Sequence, residues 1–173
     1  RELAYTEDGK FAHTFTENIP MFEFPFANDN LSKPLLILSD LQYRSYMHLR
    51  YLGSTDSGFV LNLYILEPID RLSVQNITTN AKLELDFAMV KSVIGGPPVV
   101  GDRFEISTIR GERSVRFYRK QTKRWYNLFN CVKRWSKWPV LVKGENHIKF
   151  DVTETETASV TADIRYYRLH LGV

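Results

Sequence analysis

The sequence predicts an all-β protein, an antiparallel β-sandwich or jelly roll of roughly eight or nine strands. Three observations carry this expectation. Short stretches alternate apolar and polar residues, turns rich in glycine, proline and asparagine separate them, and hardly any stretch has a helical period.

At 173 residues, 43% hydrophobic and 25% charged, the chain has the composition of a globular protein with one good core. The expected organisation is an extended arm or linker over residues 1–18, continuing from a missing upstream domain, and one β-sandwich domain over residues 19–173. The chain opens on Arg1 rather than methionine, which fits a fragment. No apolar run is long enough to cross a bilayer. Cys131 is the only cysteine, so no intrachain disulfide can form, and the chain suits assembly in a reducing cytoplasm.

Residues 1–18 mix charged and aromatic side chains without a sustained period, hence the arm. Aromatic and polar residues alternate from Met21 to Phe26, but Pro25 removes a ladder donor, so an edge strand or a stapled extended segment is expected. Residues 35–38 are a short apolar run that fits a buried strand. Residues 43–52 and 59–66 read as two strands of one hairpin, turned by the stretch from Gly53 to Gly58, with Pro68 ending the second. Residues 72–75 give a further short strand, and 76–80 a polar turn. The cleanest alternation spans 82–89, with Leu83, Leu85, Phe87 and Met89 inward and Lys82, Glu84 and Asp86 outward. A register slip there would expose four apolar groups at roughly 1.5–3 kcal/mol each. Gly95, Gly96, Pro97 and Pro98 are a hard break.

Beyond that break, Phe104, Ile106 and Thr108 share one face of a strand, with Glu105 and Ser107 on the other. Gly111 supplies the positive φ of a tight connection, and Val115 and Phe117 resume the alternation. Residues 127–132 suggest a single helical turn. A short strand at 140–142, a turn at 143–146 and a strand over 148–152 follow. The last strand is 160–166, reached through a link at 154–157.

One order of short elements stands out: Gly101-Asp102, Ser107-Thr108, Arg110-Gly111, Ser114-Val115, Asn127-Leu128, Ser136 with Trp138, the strand at 140–142, Gly144 with Asn146, and Tyr167 through Gly172-Val173. This order resembles the C-terminal half of siphovirus-type phage distal tail proteins. Similar runs at 22–26 and 76–80 extend the resemblance to about two thirds of the chain. It implies a galectin-like sandwich and a structural role in the virion of a phage or prophage. Such a protein is a baseplate hub or adaptor that joins the tail tube to tail-associated or receptor-binding proteins. In the family the N-terminal half forms a homo-hexameric ring, and assembly takes place in the bacterial cytoplasm. The segment 118–125 is longer and more basic than the family's usual tight hairpin. Arg119, Lys120, Lys123 and Arg124 are therefore candidates for contact with a neighbouring baseplate protein.

No grouping of residues suggests catalysis, so neither an enzyme nor a cofactor is expected. Cys131 reads as a plain buried thiol, and His13, His48, His147 and His170 lack ligand spacing for a metal. Asn28-Asp29-Asn30 reads as a turn, and Asn76-Ile77-Thr78 fits a glycan acceptor by form only. The alternative function is a carbohydrate-binding sandwich engaged in host-surface recognition, because flat rings stack on sugars. Its candidates are Trp125, Trp135, Trp138, Tyr166 and Tyr167. The His-x-Asn-x-Arg run of galectin sugar sites is missing, since Leu49 and Arg50 follow His48. Single-stranded nucleic acid is the weaker reading. Arg116, Arg119, Lys123, Arg124 and Trp125 could grip a phosphate backbone while Tyr126 or Trp135 stacks on bases, but Glu112 and Glu145 offset part of that field. No membrane partner is expected.

Overall fold

The computed structural model describes residues 3–5, 11–15, 46–152 and 160–171. Its elements in order are β1 (Leu3–Tyr5), β2 (Phe11–Phe15), β3 (Tyr46–Tyr51), β4 (Phe59–Ile65), β5 (Ser73–Asn76) and β6 (Ala81–Glu84). Helix α1 (Phe87–Ile94) follows, then β7 (Arg103–Ser107), β8 (Ser114–Arg119) and β9 (Arg124–Asn127). A short 3-10 turn (Phe129–Cys131), β10 (Gly144–Asp151), β11 (Val160–Tyr166) and β12 (Leu169–Leu171) complete the chain.

Two antiparallel sheets pack face to face, so the protein is an all-β sandwich. The smaller has the order β3-β10-β5-β6 and the larger β2-β11-β4-β7-β8-β9, while β1 and β12 form a separate pair. Within the first eighteen residues, β1 and β2 thus pair with β12 and β11. Period-two alternation decides which side chains face inward. From the large sheet come the rows Ala162, Leu63, Phe104, Phe117 and Ile164, Leu61, Ile106, Val115; from the small sheet come Met47, Leu49, Ile148, Phe150, Val74 and Leu83. Phe104 and Phe117 meet edge to face with ring centroids 4.9 Å apart, an arrangement the ring quadrupoles favour.

The stretch 82–89 departs from the expected strand. β6 ends at Glu84, Leu85 forms one bridge to Val132, and α1 begins at Phe87. Asp86 ends the strand because its carboxylate accepts hydrogen bonds from the amides of Ala88 and Met89, capping the helix. Gly95, left-handed at φ 75°, closes the other end. Leu83, Leu85 and Phe87 are buried as expected, but Met89 is 45% exposed, because Phe87, Val90 and Ile94 form the helix's buried stripe.

The expected hairpin of 43–52 with 59–66 is also corrected. Both strands exist, but β3 pairs with β10 in the small sheet, and β4 lies between β11 and β7 in the large one. Residues 52–58 carry the chain between sheets. Gly58 is needed there for close approach: a Cβ on it would come 2.4 Å from Ile109 Cα. The 3-10 turn falls inside the expected 127–132, and β5, β8 and β11 lie where the alternation placed them. The expectations for 21–26, 28–30, 35–38 and 154–157 lie outside the described residues.

Residues 140–142 are not a named strand, and Asn146 is not part of a turn. β10 begins at Gly144, and Asn146, fully buried, is a strand residue opposite Leu49. Its side chain takes the place of a strand partner. Oδ1 accepts from the Val142 amide, and Nδ2 donates to the carbonyls of Val142 and Gly144. The equally buried Asn76 donates to Asn146 Oδ1 and to the Val140 carbonyl, and accepts from the Thr78 amide. In the folded domain the Asn76 amide is therefore closed to a glycan.

Replacing Asn146 by alanine strands the part-buried Val142 amide and removes a partner of Asn76. The expected loss of unfolding free energy is about 3 kcal/mol. Urea denaturation checks it; a loss below about 1 kcal/mol would mean that the amide network is not what holds residues 140–146.

Candidate functional site

The basic hairpin divides into two parts. β8 and β9 meet through the turn 120–123, in which Lys123 has a positive φ of 52°. Lys120, Lys123 and Arg124 are exposed at this tip. Arg119 is not, which corrects its placement among the partner contacts. Its side chain is 11% exposed and pairs with the fully buried Asp102 at 3.7 Å. Its guanidinium also donates to the carbonyls of Ile94, Gly96 and Pro97, where α1 and the loop after it present unpaired acceptors. Asp102 in turn accepts from the amides of Val99 and Lys120. Arg119 and Asp102 thus clamp the helix end to the base of the hairpin.

The five aromatic candidates do not converge. Tyr166 is a core residue, 3% exposed and edge-on to Tyr51, and burial pushes its hydroxyl pKa upward. Trp138 is half-buried, stacked on Phe129 at 5.7 Å with Arg113 over its ring. Tyr167 is exposed beyond the end of β11. Trp125 ends a cross-strand row, Tyr64, Arg103, Tyr118, Trp125, on the outer face of the large sheet. The Arg103 guanidinium lies within 5.0–5.8 Å of all three rings, and Arg116, paired with Glu105, covers Trp125 from the next row.

Trp135 stands apart, 72% exposed. It belongs to a loop that runs beside the edge strand β6. Lys133 and Lys137 donate backbone bonds to the carbonyls of Glu84 and Lys82, and Ser136 Oγ accepts from the Glu84 amide and donates to its carbonyl. The edge of the sheet is covered and the backbone on either side of the indole is held in place. Beneath it opens a cleft of about 390 Å³. Its floor is the cross-strand row Asp151, Ser73, Glu84, and its walls include Arg71, Lys133 and Trp135. Apart from Trp135, sequence reasoning missed these wall and floor residues. Their only sequence signal is the outward period of β5 and β6.

Glu84 is the electrostatic centre of the cleft. The Lys133 ammonium donates to its carboxylate and holds its pKa below the ordinary 4.5, against an opposing push from burial; Lys82, at 3.4 Å, lowers it further. Arg71 and Asp151 pair at 3.4 Å. Cys131 is buried, and burial, then the Asp86 charge, raises its pKa, as suits an inert thiol. His48 and His147 meet as a cross-strand pair at 4.2 Å, yet among the described residues no three His, Cys, Asp or Glu side chains could hold a metal ion.

The fold and its surface define an antiparallel β-sandwich with an aromatic and charged cleft on the small sheet. No protein-family model, curated protein or solved structure matches the chain.

Because the folded-state pKa of Glu84 lies below its unfolded value, the stabilisation it brings is present above the ordinary carboxylate range and is lost as pH falls through the folded value. Lys133→Met should therefore flatten the decline of stability in acid. Chemical denaturation at a series of pH values checks this, and identical acid slopes for the two proteins would count against the pairing.

Proposed function

We propose that this chain is the C-terminal part of a structural tail protein of a phage or prophage, of the distal tail type, acting as a baseplate adaptor. One observation supports the reading most. The residues that carry the resemblance are those that close the sandwich: Asp102 clamps Arg119, Gly111 turns β7 into β8 at φ 88°, Leu128 is buried, Ser136 seals the β6 edge, and Asn146 replaces a strand partner. A tail adaptor needs a rigid body that holds its neighbours, and a two-sheet core whose loops are tied down by buried polar residues such as Asp102 and Asn146 supplies that rigidity. Within this reading Lys120, Lys123 and Arg124 face a neighbouring tail protein, and no step of chemistry is asked of the chain. Assembly in the bacterial cytoplasm and incorporation into the virion tail belong to the same proposal, as do a galectin-like descent of the sandwich and a hexameric ring made by the full-length protein.

A second reading, a carbohydrate-binding module engaged in host-surface recognition, is favoured by the exposed Trp135 indole above its charged cleft.

Two measurements test the tail assignment. Antibodies raised against the purified domain should decorate the distal tip of tails in electron micrographs of particles from the encoding phage or induced lysogen; particles whose tails carry no label would overturn it. The triple reversal Lys120→Glu, Lys123→Glu, Arg124→Glu should leave domain stability within about 0.5 kcal/mol and lower the yield of infectious particles at least tenfold. Unchanged yield would remove the hairpin tip from the contact.

A further inference from the structure

We propose that the cleft beneath Trp135 is a binding site for an uncharged saccharide. The proposal deepens the carbohydrate reading and does not depend on the tail assignment, since an adaptor and a free-standing module could both carry such a site. Three observations lead to it.

The first is the indole. A tryptophan 72% exposed leaves a large apolar face in water, and here its loop is anchored on both sides by the bonds of Lys133, Ser136 and Lys137 to β6. The backbone that carries the ring is therefore fixed before any ligand arrives, which lowers the ordering cost of stacking on a flat partner. Lys133 Nζ lies over the ring, 5.3 Å from its centre, so the ammonium and the indole meet at the cleft wall.

The second is charge balance. The cleft is lined by three cations, Arg71, Lys82 and Lys133, and three carboxylates, Glu84, Asp86 and Asp151. Asp86 is engaged in capping α1, and the others pair among themselves across the cleft. A phosphate or an acidic sugar would meet as many like charges as opposite ones, and a nucleic-acid backbone would find no continuous positive track. A neutral polyol suits this lining, because each hydroxyl both donates and accepts and can bridge an ammonium or guanidinium to a carboxylate.

The third is shape and unused capacity. At about 390 Å³ the cleft is near the lower end of small-ligand sites, which run from roughly 300 to 1,000 Å³, so it is sized for one or two sugar rings. Arg71 Nε, in the cleft wall, is ion-paired with Asp151 at 3.4 Å but lacks hydrogen-bond geometry to it and makes no hydrogen bond among the described residues. A ring stacked on Trp135 would lie over the floor row Asp151, Ser73, Glu84 and bring its hydroxyls to these groups.

The test is a titration of the isotope-labelled chain with cellobiose, lactose, maltose and diacetylchitobiose, each to roughly 20 mM, followed by amide and indole nuclear magnetic resonance. At least one disaccharide should move the Trp135 indole signal together with the amides of Ser73, Glu84 and Lys133. Trp135→Ala should weaken that binding about tenfold or more, while Trp125→Ala leaves it unchanged. Affinity should vary little between low and high salt, as it does for an uncharged ligand. If binding moves Trp125 and leaves Trp135 still, the cleft is not the site although a carbohydrate module survives. If none of the four sugars moves any signal, both fail. Binding of inorganic phosphate to the same signals, stronger than any sugar and steeply weakened by salt, would overturn the uncharged class.

Discussion

The sandwich depends on one buried amide pair. Asn146 and Asn76 lie fully enclosed, where an unpaired polar group costs roughly 1–3 kcal/mol. Between them they bond the backbone at Val140, Val142, Gly144 and Thr78. Without Asn146 the stretch 140–142 would lack a ladder, since it forms only the single Leu141 bridge to Ser57. That bridge fastens the crossover through which the chain passes from the small sheet to the large one. A side chain thus does the work of a strand, and the irregular half of the molecule is tied to the regular half.

A similar device operates in the large sheet. Asp102 and Arg119 stand side by side at the mouth of the β7–β8 hairpin, and the guanidinium gathers the carbonyls left over at the end of α1. Breaking a buried pair is costlier than never having had one, because the surviving charge stays enclosed. The basic tip beyond it can therefore vary without loosening the domain, while the clamp cannot.

Much of the fold was legible because alternation of period two reports burial directly. Ile106, Val115 and Phe117 face the core, as their spacing required. Two of the departures have physical causes. At 82–89 the alternation simply runs on into the helix, since Phe87 satisfies both periods; the decisive signals were Asp86 as a cap, the spacing Phe87, Val90, Ile94, and Gly95 as the stop. Between β3 and β4 the glycines resemble a hairpin turn, but Gly58 is there to let Ile109 approach, and a close approach leaves no mark in local sequence. The site was less legible still. Trp135 was visible as an aromatic in a polar stretch, whereas Arg71, Ser73, Glu84, Lys133 and Asp151 come from separate segments that only the strand register brings together. Arg119 was misread for the same reason: its partner lies seventeen positions back, opposite it only once the hairpin centred on Gly111 is closed.

Register also changes how the basic character of residues 110–143 is understood. As a list of charges it suggests a track for phosphates, but the folded chain gives three of them a carboxylate partner and sets two more over aromatic rings. Arg116 is paired with Glu105, Arg119 with Asp102, and Lys133 with Glu84, while Arg113 and Arg124 lie over Trp138 and Tyr126. Neutralised charges contribute little to a long-range field, and at the hairpin tip Lys120, Lys123 and Arg124 form a compact exposed spot. A compact positive spot on a rigid hairpin suits contact with one acidic surface. The balanced lining under Trp135, in contrast, attracts neither sign. The two surfaces therefore call for different partners, and the core that separates them lets each be altered without disturbing the other.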